Sequence, residues 1–115
     1  MGTTVEDQLD ALFTALSDRT RRDIVARLST GEATVKELAE PYAMSMQAVS
    51  QHIRVLERSG LVSQGRHRQT RPCRLEPAAL EAAVSWIEES RRAWSDRMDR
   101  LETHLVRVQE RETRD

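Results

Sequence analysis

The sequence predicts a mainly α fold with a small β-hairpin, in the order α-α-α-α-β-β-α. Three features of the sequence predict it. Apolar residues recur at helical spacing over most of the chain, the period breaks into two short runs around Gly65, and one long apolar seam resumes after Pro77. With 115 residues, one Phe, one Tyr and two Trp, the chain suits a single domain, residues 1–115, with a modest and chiefly aliphatic core.

Val5, Leu9, Leu12, Phe13 and Leu16 return to one face of a first helix, about residues 5–16. Ser17 and Asp18 can cap a second helix from about Arg19 to Leu28, with Ile24, Val25 and Leu28 inward and Thr30-Gly31 ending it. Thr34-Val35-Lys36-Glu37 has the capping-box spacing, in which the threonine hydroxyl and the glutamate carboxylate each accept an orphan amide. It opens a short third helix, with Leu38 and Ala39 inward, that Pro41 stops. Ser45 caps a fourth helix whose stripe Met46, Val49, Ile53, Leu56 faces the core. Gly60 ends it in a left-handed conformation, placing Leu61 to pack back on Leu56.

Leu61-Val62-Ser63-Gln64 and Pro72-Cys73-Arg74-Leu75 then read as the two strands of a hairpin. Pro72 lacks an amide hydrogen, which restricts the second strand to a sheet edge or a late start. The last helix begins at Glu76-Pro77, with proline suited to a first turn. Leu80, Val84, Ile87, Trp94, Met98, Leu101, Leu105 and Val108 keep four-three spacing, interrupted at Arg91. A helix from Pro77 to about Arg111 would extend about 50 Å, too far for a compact domain of this size to cover. The seam therefore predicts pairing with another chain.

The formal net charge of −1 conceals an uneven distribution. Residues 1–44 and 76–115 each carry −3, whereas residues 45–75 hold six arginines against Glu57 alone, a net +5. A basic middle between acidic arms is what a nucleic-acid face would produce. On the fourth helix, Gln47, Ser50, Gln51 and Arg54 follow i, i+3, i+4, i+7 and share a face separate from the apolar stripe. Glutamine can pair doubly with adenine and arginine with guanine, while serine serves base or phosphate. Ser45 opens the same surface. Two short helices followed by a hairpin are the parts of a winged helix-turn-helix, with the helix-turn-helix at about 34–59 and the wing at about 61–75. The tip Arg66-His67-Arg68 is then a cationic probe for phosphate or minor groove. A solvated helix face and a charged turn guarding a strand edge are the plainer readings of the same residues.

Leu16-Ser17-Asp18-Arg19-Thr20-Arg21-Arg22, Val35-Lys36-Glu37-Leu38-Ala39 and the run Ala48 to Val62 closely resemble the ArsR family of bacterial repressors, in order and spacing. Gly65-Arg66, Arg71-Pro72-Cys73-Arg74-Leu75 and the tryptophans of the last helix resemble a metal-independent branch of it. The resemblance covers about residues 9–105. It implies a homodimer built from the first and last helices, through Leu9, Leu12, Phe13, Trp94, Met98, Leu101 and Leu105, with two recognition helices on a palindromic operator. The resemblance also implies repression. It carries the DNA-contacting roles onto Gln47, Ser50, Gln51 and Arg54, and onto Arg66, His67 and Arg68 of the wing. His52 is expected to pack or to touch phosphate.

The family's thiolate sensors place cysteines on the third helix, where this chain reads Glu37-Leu38-Ala39-Glu40-Pro41. Asp96, Asp99, Glu102 and His104 on the last helix make a poor zinc set, so no metal and no cofactor is expected. Cys73, the only cysteine, excludes an internal disulfide and fits a reducing, cytoplasmic setting. It reads as a packed small residue, although Arg71 and Arg74 nearby could lower its pKa and make it redox-active. No secretory signal or membrane span is expected. There is no phosphate loop or nucleophile motif, and the three histidines fall on three different elements, so an enzyme is not expected. The alternatives left open are a protein-interaction module that binds an acidic partner and a nonspecific architectural DNA-binding protein.

Overall fold

A computed structural model describes residues 4–65 and 71–114. The chain, expected as a single domain, divides into two compact units, Met1–Ala83 and Val84–Asp115. The elements are α1 (Val5–Leu16), α2 (Arg19–Leu28), β1 (Ala33–Thr34), α3 (Val35–Ala39), α4 (Met46–Arg58), β2 (Val62–Gln64), β3 (Pro72–Leu75) and α5 (Pro77–Thr113).

Local chemistry accounts for the helix starts. Thr4 and Asp7 form a capping box on α1, and Thr34 and Glu37 form the expected one on α3. Asp18 caps α2 by accepting from the Arg21 amide at 3.1 Å, and Ser45 caps α4 by accepting from the Ala48 amide at 3.1 Å. The Arg21 amide, more than any other neighbour, holds the Asp18 carboxyl below its ordinary pKa. A depressed carboxylate contributes stability that is fully present above the unfolded-state pKa and is lost as pH falls through the folded-state value. Asp18→Asn keeps a capping oxygen and removes the titration. Wild type is therefore expected to be the more stable at neutral pH, with the gap closing as pH falls below the carboxylate range. Thermal unfolding of both proteins across that range checks it, and a gap independent of pH would refute it.

The stop of α4 is the Schellman arrangement read from Gly60. The Leu61 amide donates to Leu56 carbonyl at 3.1 Å and the Gly60 amide to Glu57 carbonyl at 3.0 Å. Gly60 sits at φ 84°, where a side chain costs about 1–2 kcal/mol.

Where one helix-free hairpin was expected, three strands form an antiparallel sheet in the order β1-β3-β2. Ala33 pairs with Cys73 on one side of β3, and Gln64 pairs with Cys73 on the other. The two residues of β1 are too few for an alternating pattern, so only their partner strand defines them. β3 is thus the central strand. Pro72 is tolerated there because it is the first residue, the late start that was one of its two allowed places.

The core of the first unit is aliphatic, with Leu12, Ile24, Leu38, Val49, Ile53, Leu56 and Leu61 essentially inaccessible. Ala79 and Ala83, at the start of α5, also belong to it. Two expectations need correction here. Leu12 is 0% and Leu9 8% exposed, so these residues of the expected dimer face are packed inside the chain; Phe13, at 36%, keeps surface. Met46, read as part of the inward stripe, is 51% exposed because the first turn of α4 runs past the edge of the core.

Among the described residues of the second unit, none is buried. Trp94, Leu101 and Leu105 are 59%, 49% and 54% exposed, and Met98 is half-buried. Arg91, on the seam between Ile87 and Trp94, pairs with Glu88 of its own helix at 2.9 Å. Among the described residues no helix is long and apolar enough to cross a membrane.

Candidate nucleic-acid interface

Helix α4 separates its two chemistries cleanly. Val49, Ile53 and Leu56 are buried, while Gln47, Gln51 and Arg54 are exposed and Ser50 is half-buried on the other face. Ser45 is exposed, with its hydroxyl engaged as the cap. The predicted readers Gln47, Ser50, Gln51 and Arg54 therefore stand together on one polar surface, with Glu57 of the last turn as the carboxylate beside Ser50 and Arg54. The wing tip Arg66, His67 and Arg68 lies outside the described residues.

The base of the wing faces the end of α4. The Gln64 side-chain amide donates to the Glu57 carboxylate at 2.7 Å, tying β2 to the last turn of the helix. Ser50, Arg54, Glu57, Gln64, Gly65 and Arg71 line one open groove between helix and wing. Gly65 stands at a close approach: its amide donates to Pro72 carbonyl at 2.9 Å, and a Cβ there would stand 3.0 Å from the Pro72 ring, which would have to give way.

Cys73 closes the redox reading. It is 0% exposed in the centre of the sheet, and burial, with a smaller push from Glu57, raises its pKa to about 11. Arg71 and Arg74 do not activate it. Arg74 instead lies 3.9 Å from both Glu32 and Glu76. Among the described residues no group of histidine, cysteine and carboxylate side chains has a metal-binding arrangement.

Residues 16–64 match the helix-turn-helix domain family. The chain is 42% identical over 73 residues to the HTH-type transcriptional regulator Rv2034 of Mycobacterium tuberculosis, covering 64% of this chain and 68% of that one. It is 29% identical over 79 residues to the transcriptional repressor SdpR of Bacillus subtilis, covering 69% and 88%. Among solved structures, the ArsR family transcriptional regulator RHA00566 superposes with a TM-score of 0.75 at 37% identity, covering 83% of this chain and 97% of that one. This chain belongs to the ArsR family. A further structural neighbour is the homodimeric winged helix-turn-helix DNA-binding domain Mb0332 of Mycobacterium bovis, with a TM-score of 0.60 at 25% identity, covering 76% of this chain and 82% of that one. The ArsR family is one of DNA-binding transcription regulators, not of enzymes.

In this ArsR-family regulator the arginines of α2 have structural work that residue type alone did not disclose. Arg21 Nε donates to Ala15 carbonyl at 2.8 Å and its Nη2 to Thr14 carbonyl at 3.2 Å; Arg22 donates to Leu16 carbonyl at 2.7 Å. Together they satisfy the last carbonyls of α1, which no following helical turn can reach. Arg27 does the same for α3, donating to Leu38 and Glu37 carbonyls at 2.9 and 3.0 Å. The remaining nitrogen of Arg21 reaches α4: its Nη1 donates to His52 Nδ1 at 3.1 Å, and Asp18 lies 3.8 Å from the same ring nitrogen. Because a guanidinium only donates, the ring must accept at Nδ1. His52 thus packs α4 on the start of α2, the first of its two expected roles. The Arg-Thr-Arg-Arg run following Asp18 could have signalled this, since cations immediately after a helix end are placed to bond its carbonyls.

Proposed function

We propose that this regulator binds duplex DNA sequence-specifically as a homodimer and represses transcription by occupying a palindromic operator. The observation that carries the reading is the polar face of α4, on which Gln47, Gln51 and Arg54 are exposed above a buried stripe. Gln47 and Gln51 suit base edges in the major groove, and Arg54, Ser45 and Ser50 suit bases or phosphate. Arg66, His67 and Arg68 of the wing are assigned to flanking backbone or the minor groove. Two α4 helices would enter successive major grooves about 34–36 Å apart.

Dimerisation is assigned to Phe13, Trp94, Met98, Leu101 and Leu105, and the homodimeric state of the neighbour Mb0332 supports it. The exposed apolar seam of α5 gives the physical reason. A cytoplasmic setting, no cofactor and no metal belong to the same reading.

The test is fluorescence anisotropy with the duplex upstream of the protein's own gene, at two salt concentrations, against a scrambled duplex. Binding that prefers the native duplex and weakens with salt is expected. Gln51→Ala is expected to lose about 1–3 kcal/mol of discrimination at one base pair. Equal affinity for all duplexes, unchanged by Gln51→Ala, would leave a nonspecific architectural protein; no binding at low salt would leave a protein-interaction module.

A further inference from the structure

We infer that Arg71 and Arg54 together form a backbone-phosphate subsite in the groove between recognition helix and wing, and that Gln64 keeps it open by holding Glu57. The inference rests on the DNA-binding reading above and adds to it a residue, Arg71, and a positioning pair. Four arginines of the basic segment lie among the described residues. Arg74 faces Glu32 and Glu76, and the Arg58 side chain donates to the Arg54 backbone carbonyl. Arg54 and Arg71 are both exposed, and among the described residues neither guanidinium has an ion pair or hydrogen-bond partner. They line one groove with Ser50, a neutral donor.

The groove contains one carboxylate, Glu57. Left to itself it would pair with the nearest arginine and oppose an incoming phosphate. The 2.7 Å hydrogen bond from the Gln64 amide engages that carboxylate instead. The tight Gly65–Pro72 contact, one step beyond the paired residues Gln64 and Cys73, draws the two arms of the wing together beside Arg71. A phosphodiester fits this set: two free guanidiniums and a hydroxyl, each a donor, with the competing anion held by an uncharged partner.

The prediction is tested with full-length protein and a fluorescein-labelled duplex of random sequence, because a phosphate contact does not depend on sequence. The logarithm of affinity is measured against the logarithm of salt concentration. Arg71→Ala is expected to lower the slope by about 1 per bound subunit and to weaken binding several-fold at low salt, equally for unrelated duplexes. Arg71→Lys is expected to restore the slope, since the charge is what displaces counterions. Gln64→Ala is expected to weaken binding by freeing Glu57, and adding Glu57→Gln is expected to recover it, a rescue that a purely structural Gln64 would not show. A slope and affinity unchanged in Arg71→Ala overturn the subsite while leaving the DNA reading intact. A Gln64→Ala protein that binds like wild type overturns the positioning pair. Wild type that binds no duplex overturns both the subsite and the function beneath it.

Discussion

Leu12→Ala is expected to lower the free energy of unfolding by about 2–5 kcal/mol while leaving self-association of the folded protein unchanged. Leu12 is 0% exposed and belongs to the cluster that joins α1 to Ile24 of α2 and to Val49, Ile53 and Leu56 of α4. Alanine there removes apolar contacts and leaves a cavity that the neighbouring helices close only in part. For a domain whose whole stability is about 5–15 kcal/mol, this is a large share. The periodicity of α1 placed Leu12 with Leu9 and Phe13, and the family resemblance put all three at a dimer face; the two assignments lead to different results. A dimer-face residue would alter the association constant and leave the protomer intact. Chemical denaturation at several protein concentrations separates them, because only stability gained by association depends on concentration. Phe13→Ala, at a 36% exposed position, provides the control and is expected to destabilise the fold less. Leu12→Ala that unfolds with the wild-type midpoint would remove Leu12 from the core.

Leu101→Glu combined with Leu105→Glu is expected to abolish the proposed dimer at micromolar concentration. Leu101 and Leu105 are 49% and 54% exposed in the protomer, one turn apart on the same stripe as Trp94 and Met98. Burying a leucine side chain contributes about 1.5–3 kcal/mol, and the double substitution removes that contribution from both chains. It also places carboxylates where the partner seam would desolvate them. A weakening of at least about a thousandfold follows, equivalent to about 4 kcal/mol. Sedimentation equilibrium measures it directly, and circular dichroism is expected to show an unchanged helical protomer because neither leucine is buried within it. Operator binding is expected to fall in parallel, since one α4 presents only a half-site. A double variant that remains dimeric would place the interface elsewhere.

Much of this molecule was legible from residue order. Thr34 with Glu37, Ser45 and Gly60 each act within a few residues of themselves, through hydrogen bonds or a backbone angle that local chemistry dictates. The amphipathic split of α4 was legible for the same reason: a period of 3.6 sorts Gln47, Ser50, Gln51 and Arg54 away from Val49, Ile53 and Leu56 before any tertiary contact exists. The start and span of α5 followed from Pro77 and a long four-three repeat.

What required the folded chain was everything set by residues distant in sequence. Strand β1 exists because Cys73, forty residues on in the register, supplies its hydrogen-bond partner. Cys73 is the packed small residue that its sequence setting suggested, but only the fold shows why its basic neighbours do not lower its pKa: a strand on each side and the core beneath remove it from water. Arg21, Arg22 and Arg27 became caps for helices other than their own once α2 crossed the ends of α1 and α3. Leu12 turned inward because the α1 stripe has one face for several candidate partners, and periodicity says that a face is buried without saying against what. Local hydrogen-bonding and period depend on neighbours along the chain, whereas burial and charge pairing depend on neighbours in space, and those are chosen only when the helices and sheet close on one core.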